Sequence, residues 1–286
     1  MGARSYTLEI KSNVNSSMQI LDQDPMQVYE KFEMQQTPKE DGHIFKVRRI
    51  DDTSKVFAMM VLSEPSANAY QKILNEASLL KSLNIDEMLK WVAVHSHDNK
   101  LTLIFEYMDH LSLAKIIENY NDKYGEDFCR FTLFNVAMCL SQMHKKNVLH
   151  RQLMPENVFS SSAGEIKLAD LGVKLAPIYA PEIVNGDPFT KKSDVWMFGC
   201  LAYALATGTI PYLAQSEFKL LNAIVAKGQQ PEPIPSRWSD RFRDFIQRCL
   251  EKNPDQRPTI DELLEDDFFA ELGTNESKLQ ECKEAW

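Results

Sequence analysis

The chain has 286 residues, enough for one large domain or for two lobes sharing a cleft. Its 44% hydrophobic and 26% charged content is that of an ordinary globular protein. A formal net charge of −9 argues against nucleic acid or an anionic membrane as partner, because both repel an acidic surface that carries no basic patch. No apolar run approaches the ~18 residues of a membrane span, and the opening "MGARSYTLEI" has no signal-peptide core. A cytoplasmic location is therefore expected. The five cysteines, Cys129, Cys139, Cys200, Cys249 and Cys282, follow no metal-ligand or disulfide spacing. Four sit in apolar runs and are expected to be buried free thiols in a reducing compartment.

In chain order, the first 25 or so residues are polar and aperiodic and read as an extension. "HIFKVRRI" (43–50) and "KVFAMMVL" (55–62) are β-type runs joined by the turn composition "DDTS". "SANAYQKILNEASLLKSL" (66–83) predicts a helix with a serine cap. "WVAVHSHDNKLTLIFEYM" (91–108) predicts two strands around "HDNK". These make a small, mostly antiparallel sheet with one helix, ending near Met108. Beyond it the pattern turns helical. Residues 126–147 carry a long apolar stripe that stops at Lys-Lys-Asn, and 157–172 reads as strand-turn-strand. Helices are predicted around "SDVWMFGCLAYALATG", "EFKLLNAIVAKG" and "DRFRDFIQRCLEKN", with "TIDELLEDDFFAEL" closing the lobe. The acidic "DELLEDD" is expected to be a solvated helix face. The tail "ESKLQECKEAW" has Leu279, Cys282 and Trp286 at near-helical spacing and is expected to fray.

Several motifs now stand in a fixed order. "HRQLMPEN" occupies 150–157, "LADLG" 168–172, "APE" 180–182, "SDVWMFGC" 193–200 and "NPDQRPT" 253–259. Together they resemble a eukaryotic serine/threonine protein kinase from Tyr29 to Leu272. "NVF", "PIPSRWS" and "DQRPT" are similar to NIMA-related kinases, whereas "DPMQVYEKFE" is similar to the sterile-twenty-like group. The resemblance implies an α+β, bilobal protein-kinase-like fold, with a small antiparallel β-sheet lobe and a larger helical lobe. It divides the chain into an N-terminal extension (1–27), an N-lobe (28–107), a C-lobe (108–272) and a C-terminal tail (273–286).

Fold and chemistry are separate questions. Phosphoryl transfer rests on a few positioned parts, and each can be checked against this chain. The glycine-rich loop would align Gly42 as its third glycine, which puts Thr37 and Lys39 at the first two. Pro38 there donates no N–H, and Glu40 and Asp41 would repel a triphosphate. The lysine of the third strand is Met60, although its helix partner Glu76 is present. Lys39 and Lys46, near the first hairpin, are the lysines that would have to reach in to replace it. Gln152 stands where the family has its catalytic aspartate, and an amide takes no proton near neutral pH. Met154 replaces the loop lysine. Asn157 and Asp170 match the two magnesium positions; both also suit a structural role, since such residues hydrogen-bond turn backbone. Between Gly172 and Ala180 lie only seven residues, "VKLAPIY", with no serine or threonine, so Arg151 has no phosphorylated partner in this segment.

The resemblance further implies that Ile44, Ala58 and Phe159 line an adenine slot, with Phe105 as gatekeeper and Glu106 and Met108 as hinge. His150, Leu171, Leu80 and Trp91 would form the apolar column between the lobes. Glu182, Asp194 and Arg257 are implied to anchor the helical lobe. The resulting expectation is a catalytically inactive pseudokinase, not an enzyme, that scaffolds or allosterically regulates another protein, an active kinase being one candidate. No cofactor is expected to be required, with weak ATP and Mg²⁺ binding allowed. The alternatives are a switch that binds ATP without turnover and a weak, unorthodox ATP-dependent kinase.

Overall fold

The computed structural model describes residues 20–35, 43–63, 65–120, 123–169, 179–212, 216–226, 228–270 and 272. The N-terminal half builds one six-stranded sheet. Its strands are β1 (Ile20–Leu21), β2 (Tyr29–Gln35), β3 (His43–Arg49), β4 (Val56–Ser63), β5 (Trp91–His97) and β6 (Lys100–Glu106). They lie in the order β1-β5-β6-β4-β3-β2, and every pairing is antiparallel except β1 with β5. Alternation along each strand sorts the side chains between two faces. Tyr29, Val47, Met59 and Ile104 pack together on one face. Val94, Leu101 and Leu103, with Met60 beside them, meet Ile73 and Ala77 of helix α1 (Ala67–Leu83) on the other. Adjacent methionines on β4 thus serve opposite cores.

The pair Ile20–Leu21, read from sequence as part of an extension, adds a parallel edge strand in register with Val94 and His95. The chain then turns through a short 3-10 turn at Pro25–Gln27, whose N-cap Asp24 accepts from the Met26 N–H. His95 is buried at 1% exposure, and its Nδ1 lies 3.3 Å from the Gln23 carbonyl oxygen. The Tyr29 ring meets its imidazole edge to face.

The second half is helical. It contains α2 (Leu113–Tyr120), α3 (Glu126–Lys145), a small hairpin of β7 (Val158–Ser160) and β8 (Ile166–Leu168), α4 (Pro181–Val184), α5 (Lys191–Thr207), α6 (Glu217–Val225), α7 (Asp240–Cys249) and α8 (Ile260–Leu264). Helix α5 is buried without interruption from Ser193 to Ala206, as expected of a helix apolar around its circumference. Thr190 and Ser193 form its capping box, and Gly208 ends it at φ 79°, a left-handed conformation that favours glycine. Helix α7 buries Phe242, Phe245, Ile246 and Cys249, one stripe at helical spacing. The two helices touch so closely at Gly199 that a Cβ there would stand 2.7 Å from the Cys249 Cβ.

Phe242, Phe245, Phe268 and Phe269 stack into an aromatic cluster. Arg130 caps it, donating from Nε to the Phe268 carbonyl at 2.8 Å. The acidic run at 261–267 is largely solvated, as expected, with Asp261, Glu262, Glu265 and Asp267 exposed, although α8 itself is only five residues long. Glu262 closes a capping box with Thr259, Asp261 accepts from the Ser141 hydroxyl, and Asp266 pairs with Arg248. Local capping and ion pairs use these carboxylates. Cys129, Cys139, Cys200 and Cys249 are buried free thiols, and burial raises all four above the ordinary thiol range. Cys282 and the remainder of the tail lie outside the described residues, and no helix among those described is long and apolar enough to cross a membrane.

Candidate active site

The loop between α3 and β7 is pinned from below. Asp194, fully buried in the first turn of α5, accepts the His150 N–H at 2.9 Å through Oδ2 and the Arg151 N–H at 2.8 Å through Oδ1. Its Oδ2 also lies 2.9 Å from His144 Nε2. These contacts hold Arg151 at φ 66°, a strained position for a residue with a side chain. The Arg151 Nε is buried and has no hydrogen-bond partner among the described residues.

Gln152 follows. Its N–H points at His150 Nδ1, 3.3 Å away, and its carbonyl accepts from Asn157 Nδ2 at 3.0 Å. The side chain is 8% exposed, and among the described residues its Oε1 has no hydrogen-bond partner. Asn157, 4% exposed, performs the structural role open to it by closing the loop with its amide nitrogen. Its Oδ1 is the hard donor that would suit Mg²⁺. Asp170, the other expected ligand, lies outside the described residues, as do Leu171, Gly42, Thr37 and Lys39. Among the described residues no cluster of three His, Cys, Asp or Glu side chains could hold a metal.

Across the cleft, Met60 pairs with Ile44 on β3 and with Leu103 on β6 and packs with the apolar cluster that includes Ile73 and Ala77 of α1. An unbranched thioether fills such a space without the desolvation cost of an ammonium. Glu76 on the same helix is buried at 7% exposure. Lys46 does not lie opposite Met60. It pairs with Ala58, and its amino group sits 4.9 Å from the Tyr107 ring centre and 5.4 Å from that of Phe32. Those rings hold it by cation–π attraction at the hinge side, so it does not substitute for the missing lysine. Met154 packs against the large core in the same apolar manner as Met60.

The expected adenine-slot residues come together on the sheet and the hairpin. Ala58 pairs with Phe105, whose ring meets Trp91 edge to face at 4.9 Å. Glu106 is fixed to the chain ahead of β5: its N–H donates to the Lys90 carbonyl at 3.0 Å, and its Oε1 accepts the Lys90 N–H at 2.7 Å. Met108 is buried, and Phe159 lies on β7, bridged to Ser112. Of the expected apolar column, His150 is fully buried, while Leu80 and Trp91 join the main core.

The anchors meet beneath the site. Arg257 grips Glu182 with two bonds, Nη1 to Oε1 at 3.0 Å and Nη2 to Oε2 at 3.1 Å. Ser193 Oγ adds a third bond to the same carboxylate at 2.9 Å. Burial alone would raise the Glu182 carboxyl, but the guanidinium outweighs it and the net shift is downward. The Arg257 guanidinium lies 5.2 Å from the Trp196 ring centre, and Trp196 stacks on Tyr212. Sequence reading missed the His144–Asp194 contact. The only available signal was a histidine six residues before His150, too weak to assign.

Residues 40–269 match the model of the protein kinase domain. The chain belongs to the protein kinase family. Among its relatives, serine/threonine-protein kinase dst1 of Dictyostelium discoideum is 27% identical over 243 residues, covering 80% of this chain and 33% of dst1. Inactive serine/threonine-protein kinase PLK5 of Mus musculus is 29% identical over 242 residues, covering 78% of this chain and 40% of that protein. The chain therefore spans well under half of these relatives. Among solved structures, the twitchin kinase region of C. elegans superposes with a TM-score of 0.79 at 22% identity, covering 92% of this chain and 49% of the other. That likeness shows the bilobal fold.

These findings correct one expectation. The altered positions led to the reading that the chain is not an enzyme. The kinase-domain match over most of the chain, and relatives such as dst1 that are named serine/threonine-protein kinases, point instead to an enzyme. The family works with ATP and Mg²⁺.

Proposed function

We propose that this chain is a nucleotide-responsive regulator of a partner protein: it takes up Mg·ATP, turns it over weakly by unorthodox chemistry, and acts allosterically through the state of its cleft. The observation that carries the reading is Met60, seated in the apolar cluster between β4 and α1 where the family places a phosphate-binding lysine. That substitution removes charge from phosphate handling and leaves the packing of the lobe intact, so turnover is slow while the fold persists. Asn157, held in the loop by its amide nitrogen, carries an amide oxygen of the hard type that suits Mg²⁺, which supports metal-assisted nucleotide binding. The partner is a protein, an active kinase being the leading candidate, and the acidic surface disfavours nucleic acid and anionic membrane. Within the family, "DPMQVYEKFE" supports a likeness to the sterile-twenty-like kinases, beside the NIMA-related likeness of "NVF", "PIPSRWS" and "DQRPT".

A thermal melt with and without millimolar Mg·ATP tests the reading. A ligand at 100 times its dissociation constant stabilises the native state by about 2.7 kcal/mol, which gives a clear rise in Tm. Partner affinity, measured with the nucleotide present and absent, should then differ. A flat response to Mg·ATP and Mg·ADP would overturn the proposal.

A further inference from the structure

We infer that residues 20–28 are an acid-released strap: with a neutral His95 they close the rolled sheet of the N-terminal half, and protonation of that ring lifts them from it. The inference goes beyond the reading above and does not depend on what the cleft binds. It starts from topology. Strands β1 and β2 stand at opposite ends of the strand order, yet only the seven residues 22–28 join them. Five strand spacings in a flat sheet come to about 24 Å, close to the reach of seven fully extended residues. Part of this connection is instead coiled into the turn at Pro25–Gln27, so the sheet must roll. Tyr29 shows that it does. Its ring, carried on β2, lies 5.9 Å from His95 on β5 and 6.0 Å from Phe57 on β4.

The strap is held lightly. Its strand is two residues long and pairs with Val94 and His95. The Ile50 N–H donates to the Val28 carbonyl at 2.9 Å, Asp24 caps the turn, and Met26 is left 41% exposed. Segments tied in this way open at a lower free energy than the core. Beneath them lie Tyr29, Val47, Met59 and Ile104, all buried. His95 is itself 1% exposed, opposite Leu21 on β1 and Thr102 on β6. Its Nδ1 faces the Gln23 carbonyl oxygen at 3.3 Å, which places the neutral ring's proton on Nδ1. A second proton goes to Nε2 and leaves a cation inside the closed strap, where losing water is costly. The surrounding groups offset this only in part. Leu21 and Thr102 carry no charge. Tyr29 is held neutral by burial, and beyond it Arg49 and Asp51 pair with each other. Asp24 does favour the proton, but burial outweighs both it and the Gln23 carbonyl, so the imidazole titrates below its ordinary range. Opening the strap returns the ring to about 6.5. As pH falls, the open state therefore takes up the proton first. Closure is complete above about pH 6.5 and weakens as pH falls toward the depressed value.

Amide hydrogen exchange of the full chain at pH 7.0 and 5.5, corrected for intrinsic exchange, tests this. Protection at the Gln27, Val28 and Ile50 amides should fall at least threefold at the lower pH. The ceiling is about eightfold for one proton with an open-state pKa near 6.5. Amides of α5 should keep their protection. His95→Gln should remove the pH dependence at the three strap amides. An equal loss in α5 would mean global unfolding and overturn the inference. So would a flat wild-type response, or the same fall in His95→Gln. Should that variant fail to fold, the NMR titration of the His95 ring in the wild-type chain decides. A ring that titrates over this range with the three amides unchanged overturns the strap, and one that titrates in step with them supports it.

Discussion

Asp194→Asn separates the loop's geometry from its chemistry. In the native protein Oδ2 serves both the His150 N–H and His144 Nε2, and Oδ1 serves the Arg151 N–H. The least costly asparagine orientation keeps its carbonyl at the doubly bonded position and turns its NH₂ toward the Arg151 N–H. One charge-assisted hydrogen bond is then replaced by two facing donors. Such a bond contributes roughly 1.5–3 kcal/mol, and an unmet buried donor costs about 1–3 kcal/mol. Arg151 at φ 66° offsets part of this, because relaxing a strained backbone returns on the order of 1–3 kcal/mol. The net expectation is a loss of about 3 kcal/mol, or roughly 6–12 °C in Tm for a chain of this size. Urea titration followed by fluorescence and circular dichroism gives the number. A variant within about 1 kcal/mol of wild type would refute the view that Asp194 holds the loop against strain.

Arg257→Ala should destabilise by about 3–5 kcal/mol, since it strands the buried Glu182 carboxylate; denaturant unfolding measures this, and a loss below about 1 kcal/mol would contradict the pairing. Gly199→Ala should cost about 1–3 kcal/mol by forcing α5 from α7, because the new Cβ would meet Cys249 Cβ at 2.7 Å; an unchanged melt would show that the helices separate freely. His95 should make stability pH-dependent. Burial lowers its folded pKa, more than the Gln23 carbonyl and Asp24 raise it, so the unfolded chain takes up a proton first as pH falls. Its contribution is then complete above about pH 6.5 and declines as pH falls toward the depressed folded value. Comparing urea midpoints at pH 7.5 and 5.5 in wild type and His95→Gln tests this, and equal slopes would remove His95 as the cause.

Much of the fold was legible because its elements announce themselves locally. The β3–β4 hairpin has turn residues between alternating runs, α7 has a polar cap and an apolar face of helical period, and α5 is a capped, continuously buried run. The motif around Asn157 located the cleft floor, and the Glu182–Arg257 pair formed where the resemblance implied. Other features carried no local signal. Ile20–Leu21 is too short to show a period, and its place is set by backbone pairing to Val94 and His95, far along the chain. The acidic run at 261–267 is solvated as its composition implied, but its ties to Ser141 and Arg248 reach other helices and had no local signal. Lys46 could be named as a candidate from sequence, but its capture by Phe32 and Tyr107 required the sheet register.

The substitutions at the cleft share one physical character, which explains how the fold carries them. Met60 and Met154 put flexible apolar side chains where the family has ammonium groups, and both pack against existing cores. Replacing a charge by a well-packed apolar group is often neutral or stabilising, because the desolvation cost disappears with the charge. The anchors Asp194 and Arg257 are different. Each satisfies several buried partners at once, so neither can change without stranding a polar group. Gln152 lies between these cases. It is one methylene longer than the family's aspartate and keeps an acceptor oxygen while giving up the base, and among the described residues that oxygen has no hydrogen-bond partner. A frame that is costly to alter, bordered by phosphate-handling positions that are not, permits chemistry to drift without loss of fold, and Gln152 is where that drift can be measured.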